Sequence, residues 1–369
     1  MNRRNFLRRF YFLFFLLSPA LPGAPKTLEF YFVDVELGTA TLIVSPSGES
    51  MLIDTGSSGN NGRDANRVLA AVKQAGLRKI DYLVVTHFQD DHYGATSELA
   101  GKIPIRNFVD HGSSVEFGKD AAWHKRWMMG NQDELWVAYG KARQTGHHML
   151  AKPGARIPFK GMDALVVTSA GERISKPLKG AGAANPACAH VEPKSPDEIE
   201  DGQSVGVLIT FGKFRFIHLG DLTWNKANEL FCPHNLVGTV DVYEATHHAV
   251  RVEKSAAPVM RGRDCCSEAE VHGLRPRVAL ISCGPKYHPR GTPDGWRAIR
   301  HSPGLEDIWQ THFQIQGGTE NNASEQFIAN LSAENCQAHG IKLSVKPDGS
   351  FTMTNSRNGY TKPYQPHTR

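Results

Sequence analysis

The densest chemistry in the chain is Thr86-His87-Phe88-Gln89-Asp90-Asp91-His92, which places two imidazoles and two carboxylates within six residues. It follows directly on the apolar run from Ile80 to Val85 and precedes a stretch of helical character. A strand-to-helix turn of this kind can aim several side chains at one cation from a rigid base, and imidazole nitrogen and carboxylate oxygen are customary ligands of zinc and its neighbours. Three further apolar runs end in the same way: Met51 to Asp54 in Asp54-Thr55-Gly56, Phe216 to Asp221 in Leu219-Gly220-Asp221, and Tyr243 to His248 in Ala245-Thr246-His247-His248. Four strands that each deliver a polar group at the C-terminal end form what a site on a sheet edge requires.

The elements that must position these groups alternate. Short strands are expected at Leu28 to Val35, Ala40 to Ser45 and Met51 to Asp54, then a helix from Asp64 to Ala75 with Val68, Leu69, Val72 and Ala75 at helical spacing. Strands follow at Ile80 to Val85, Ile105 to Val109 and Ala164 to Thr168, with helical composition at 92 to 100 and 119 to 145. The latter segment carries Trp123, Trp127 and Trp136 and is a candidate insertion or lid. Gly171 to Gly202 reads as a long surface loop, of a length usually kept for function. A hairpin from Ser204 to Leu219, strands at Val240 to Ala245 and Val278 to Ser282, and helices near 224 to 231, 293 to 300 and 323 to 331 come next. A second hairpin, Ile341 to Val345 and Phe351 to Asn355 about the turn Pro347-Asp348-Gly349, closes the chain.

The order Asp54-Thr55-Gly56, His87 to His92, Gly220-Asp221 and His247-His248 resembles the metallo-β-lactamase superfamily of metal-dependent hydrolases. Phe32-Val33-Asp34-Val35, Thr41-Leu42-Ile43-Val44 and the Phe211-Gly212-Lys213-Phe214 turn resemble its branch of competence DNA-uptake proteins and phosphorylcholine esterases. The resemblance implies an α/β fold, the four-layer αββα sandwich, over 28–285, with 286–369 as a C-terminal extension ending in a β-hairpin; His288-Pro289 is a further possible match. It implies one or two Zn2+ or similar ions. His87 and Gln89 fall at the first ion, Asp91, His92 and His247 at the second, Asp221 between them, and Asp54 behind the ligands.

Gln89 departs from the family's histidine, and a neutral amide is a much poorer zinc ligand. The third-segment ligand is open among Asp201, His190 and the pair His147-His148. Asp91 is expected to hold metal and orient the attacking water. His248 is a candidate substrate or proton contact, or the ligand in place of His247, and His111 a candidate substrate contact. The implied activity is hydrolysis of an ester, phosphoester or amide by metal-activated water; the alternatives are a non-catalytic metal- or ligand-binding member and a nuclease-like phosphodiesterase.

Length and composition fit this reading. The chain has 369 residues, 40% hydrophobic and 21% charged, enough for a sizeable core. Its net charge of +5 includes Arg3, Arg4, Arg8 and Arg9 of a charged, then apolar (Phe10 to Leu17), then small-residue segment, which reads as a twin-arginine-like export signal over 1–20. Its apolar run is too short to span a bilayer. Removing the four cations leaves 5 − 4 = +1, so the field that draws proteins to long nucleic acids is missing. A small molecule or small phosphoester is the expected substrate, a periplasmic or secreted location the expected destination, with no stable membrane insertion once the leader is gone. Six cysteines permit bridges in such a compartment, although Cys265-Cys266 would be strained as a mutual pair.

Overall fold

The computed structural model describes residues 27–127, 130–196, 198–254, 258–286, 291–334 and 336–366. The leader, and His288 with its neighbours, lie outside them. Among the described residues two nine-stranded sheets face one another. The first runs Thr361–Tyr364, Phe351–Asn355, Ile341–Val345, Leu28–Phe32, Thr41–Val44, Ser50–Ile53, Ile80–Val84, Ile105–Asp110, His147–Leu150. The second runs Ile328–Asn330, Asp307–His312, Val278–Ile281, Val242–Glu244, Phe214–His218, Gly206–Phe211, Asp163–Ser169, Arg156–Ile157, with Glu172–Arg173 paired to Asp163–Ser169. In both sheets the strands bearing the chemistry are parallel neighbours, so their C-terminal ends share one edge.

Period-two burial drives the sheets together. Leu28, Phe30 and Phe32 point inward against Phe214 and Phe216, while Glu29 and Tyr31 alternate outward. The outer face of the first sheet is covered by Arg63–Gln74, Thr96–Ala100 and Asp133–Arg143, whose Val68, Val72, Leu99 and Tyr139 pack on Leu42, Leu52 and Leu83. Trp224–Phe231, Glu268–Leu274 and Asp294–Arg300 do the same for the second sheet through Leu230, Val271 and Ile299. The layers are therefore α, β, β, α.

Residues 286–369 are not an extension beyond this sandwich. Asp307–His312 and Ile328–Asn330 finish the second sheet, and Ile341–Val345 pairs antiparallel with Leu28–Phe32 in the first. The helix expected at 323–331 is instead a single turn, Glu325–Phe327, followed by the strand Ile328–Asn330, because pairing with Asp307–His312 outweighs local propensity. His147–Leu150, unanticipated, is an edge strand on Ile105–Asp110. The closing hairpin forms with the expected limits. Among the cysteines, Cys188 pairs with Cys232, and Cys265, Cys266, Cys283 and Cys336 are thiols. No described helix is long and apolar enough to cross a membrane.

Candidate metal centre

Four of the sequence-selected residues converge. Asp91, His92, Asp221 and His248 each offer one donor atom, all within 4.8 Å of one another. His92 Nε2 lies 3.2 Å from Asp221 Oδ1 and 3.9 Å from Asp91 Oδ2. His248 Nε2 lies 3.6 Å from Asp221 Oδ2 and 3.7 Å from Asp91 Oδ2. All but the first of these separations exceed good hydrogen bonds, and together they suit ligands that share an ion.

Each imidazole is oriented from behind. His92 Nδ1 donates to Asp54 Oδ2 at 2.8 Å, which leaves Nε2 as the donor facing the cluster. Asp54 is fully buried and is itself fixed by Thr39 Oγ1, Thr86 Oγ1 and the Thr86 amide. Asp54 thus stands behind His92 and fixes its ring. His248 Nδ1 donates to the Ser282 carbonyl at 2.9 Å, and the Ser282 hydroxyl donates to Glu244, which also accepts from Thr41 of the opposite sheet. A polar seam between the sheets therefore sets the angle of a ligand.

The backbone is bent to bring these groups in. His247, His248 and Ala249 are consecutive residues at φ 49°, 55° and 60°, a conformation that costs non-glycine residues roughly 1–2 kcal/mol each. A hydrogen bond from the His247 amide to Gly220 O holds this turn against the Asp221 loop. Gly38, at φ 91°, lets the loop after the first strand lie on the Asp91 turn: a Cβ there would stand 1.7 Å from the Asp91 carbonyl oxygen.

The left-handed turn also corrects the assignment of the histidine pair. His248, not His247, completes the four-donor cluster. His247 donates from Nδ1 to the Arg263 carbonyl at 2.7 Å and sits at the rim, its Nε2 3.5 Å from Asp221 Oδ2. Spacing alone could not separate two adjacent histidines, because only the dihedrals decide which one turns inward.

The electrostatics favour a cation. Burial opposes charge on Asp221, but His92, His247 and His248 outweigh it and hold its carboxyl well below the usual range. Burial likewise disfavours the His92 and His248 imidazolium forms, yet Asp221 and its neighbouring carboxylates raise both, His248 to about 10. The field that retains protons there is the field that binds a divalent ion. His87 is pushed the other way, by burial and then by His92, and its Nε2 is buried with no hydrogen-bond partner among the described residues. The donor set, two imidazoles and two carboxylates with ring nitrogens fixed from behind, fits a zinc-like ion.

The neighbouring half of the site is different. Gln89 donates from Nε2 to Asp201 Oδ1, and Arg263 donates from Nε to Asp201 Oδ2 at 2.8 Å and from Nη2 to Gln89 Oε1 at 3.3 Å. Burial works against the Arg263 charge, but Asp201 and then Asp221 and Asp91 sustain it. Gln89, expected with His87 at a first ion, and Asp201, one of the candidates for the third-segment position, are thus bound to a guanidinium. Arg263 was missed by sequence reasoning; it lies in Arg261-Gly262-Arg263-Asp264, with no pattern to mark it.

Other candidates are placed elsewhere. His111 Nε2 meets Glu200 Oε2 at 2.8 Å and its ring packs on Phe88, so it braces the Glu200-Asp201 turn. His190 is exposed, and His148 pairs with Asp110 beside His147 on the outer edge strand.

Residues 33–197 match the family model for the metallo-β-lactamase superfamily. No curated protein matches the chain. Among solved structures it is similar to the metallo-β-lactamase fold protein YhfI from Bacillus subtilis, at 10% identity over 76% of this chain and 95% of that one, TM-score 0.42. It is also similar to Tm1679, a metal-dependent hydrolase of the β-lactamase superfamily, at 12% over 77% and 95%, TM-score 0.42. The diiron β-hydroxylase CmlA from Streptomyces venezuelae matches at 14% over 76% of this chain, which spans only 47% of that protein's length, TM-score 0.40. The match is at the level of the superfamily, not of the competence-protein branch. The family match thus covers the first part of a sandwich whose α, β, β, α layering is the metallo-β-lactamase fold.

Proposed function

We propose that this protein is an exported hydrolase of small esters, phosphoesters or amides that works with one divalent ion and one built-in cation. The observation that carries the reading is Arg263, whose guanidinium is tied to Asp201 and Gln89 beside the four-donor cluster. Asp91, His92, Asp221 and His248 would hold the ion, which supplies Lewis acidity to water and to the scissile oxygen. Asp91 orients the attacking water and accepts its proton. Arg263 contributes a fixed positive charge to the negative charge that develops on the substrate, a role of the kind oxyanion-hole donors play. Asp54 holds the His92 ring, and Asp201 holds Arg263.

The export-like leader and the Cys188–Cys232 bridge support a periplasmic or secreted location. A small substrate is supported by the near-neutral charge once the leader is subtracted.

The test is metal content of the purified full chain, beside turnover on a panel of phosphodiesters, esters and lactones, for wild type and His92→Ala. Loss of a single equivalent together with turnover supports the reading. Loss of two equivalents means that Arg263 yields to a second ion. An ion held without turnover on any panel member favours a ligand-binding role, and no ion dependent on His92 overturns the metal centre.

A further inference from the structure

Asp34, His312 and Cys336 form a second convergence that shares no donor with the first. They come from three places: Asp34 just after the strand Leu28–Phe32 of the first sheet, His312 at the end of Asp307–His312 in the second, and Cys336 in the connection from Ile328–Asn330 back to Ile341–Val345. Asp34 Oδ2 is 3.1 Å from Cys336 Sγ, Cys336 Sγ is 3.4 Å from His312 Nε2, and His312 Nε2 is 3.4 Å from Asp34 Oδ2. An ion bound tetrahedrally by oxygen, nitrogen and sulfur at roughly 2.0–2.3 Å sets its ligands about 3.3–3.6 Å apart. The triangle has nearly the size of one face of such a tetrahedron.

The surroundings hold the carboxylate in place. The Asp34 and His312 side chains are fully buried. Asp34 Oδ1 accepts the Glu36 amide, while Arg67 Nη1 donates to Oδ2 and to the Asp34 carbonyl. Cys336 is only partly buried, which gives an ion a way in. Three different donor types aimed at one point are more than a hydrogen-bonded pair needs.

We propose that Asp34, His312 and Cys336 form a second, structural metal site for a borderline divalent cation of the zinc type. Such an ion accepts carboxylate, imidazole and thiolate together. Binding releases the Cys336 thiol proton and the His312 Nε2 proton to solvent, and the thiolate and carboxylate then balance the two positive charges of the ion. The site clips the first strand of one sheet to a late strand of the other and anchors the return connection. It therefore secures the C-terminal segment that completes both sheets.

The cluster at Asp91 contains no sulfur, so a thiolate-to-cobalt charge-transfer band reads the second site alone. The full chain is loaded with cobalt(II) and titrated in the near ultraviolet. The band is expected in wild type and in His92→Ala, saturating at one equivalent, lost in Cys336→Ser and diminished in Asp34→Asn. Absence of the band in cobalt-saturated wild type, or its persistence in Cys336→Ser, overturns the proposal. Should Cys336→Ser fail to fold, alkylation of the wild-type chain decides: zinc is expected to protect Cys336 relative to chelator, and equal labelling rejects the site. Metal counts separate the two centres, since His92→Ala and Cys336→Ser each remove a different equivalent.

Discussion

Two adjacent halves of one sheet edge meet the same problem in different ways. Each gathers buried carboxylate charge: Asp91 and Asp221 in one half, Asp201 in the other. In the first half that charge faces imidazoles whose outer nitrogens are fixed by Asp54 and the Ser282 carbonyl, a geometry that leaves the inner donors for an ion. In the second, a guanidinium on the chain itself satisfies Asp201 and Gln89. A tethered cation needs no metal supply and does not titrate at ordinary pH, but it cannot act as a Lewis acid toward water. In the proposed function the two halves divide the work: one would activate water, the other would stabilise charge.

The comparison breaks most visibly if its first half is removed. His92→Ala is expected to take metal content at this cluster to background and turnover with it, measured by elemental analysis and initial rates. Arg263→Ala should keep the ion and lower kcat by about 10²–10³-fold, the range seen when a single charge-stabilising donor is lost; an unchanged kcat would assign Arg263 a purely structural role. The same comparison can be inverted by combining Arg263→Ala with Gln89→His, which should add one metal equivalent by restoring an imidazole where the amide stands. Asp54→Asn leaves every ligand in place yet disturbs the His92 ring, and an affinity loss of roughly 10–100-fold is expected in a competitive chelator titration.

A further prediction concerns the support beneath Asp201. Glu116 accepts the Glu200 amide, and burial, with repulsion from Glu200, pushes its carboxyl up to about 8. Its Oε2 is buried without a hydrogen-bond partner among the described residues, as befits a protonated acid. The unfolded chain loses this proton near 4.5 while the folded one keeps it to about 8, so the folded state binds more protons between these values. Stability contributed here is thus present at low pH and falls as pH rises through that window, by up to about 1.4 kcal/mol per unit. Glu116→Gln should flatten this slope in denaturant melts across the range.

Much of the fold was legible because its signals are local. The runs Leu28 to Val35 and Ile341 to Val345 alternate in the strand period, Val68 and Val72 mark a helical stripe, and Pro347-Asp348-Gly349 names a hairpin turn. The partnership of the first of these strands with the second, more than 300 residues later, is not local. That is why the C-terminal segment read as an addition to a domain that it in fact completes. The strand at Ile328–Asn330 was misread for the same reason, since its helical appearance is overruled by a neighbour in the sheet.

The sequence by itself determined the ligand chemistry: which strand ends carry imidazole and carboxylate, that Asp54 belongs with them, and that Gln89 marks a departure. Those facts depend on residue type and short spacing, which a chain displays directly. The tertiary structure alone decided which of His247 and His248 joins the four-donor cluster, that Arg263 binds Asp201 and Gln89, that His111 braces Glu200, and that Asp34, His312 and Cys336 meet. Each of these depends on a dihedral at one residue or on contacts between distant segments, and neither is written in local composition. Charge compensation inside a protein is settled by distances of a few ångströms, and only folding sets them.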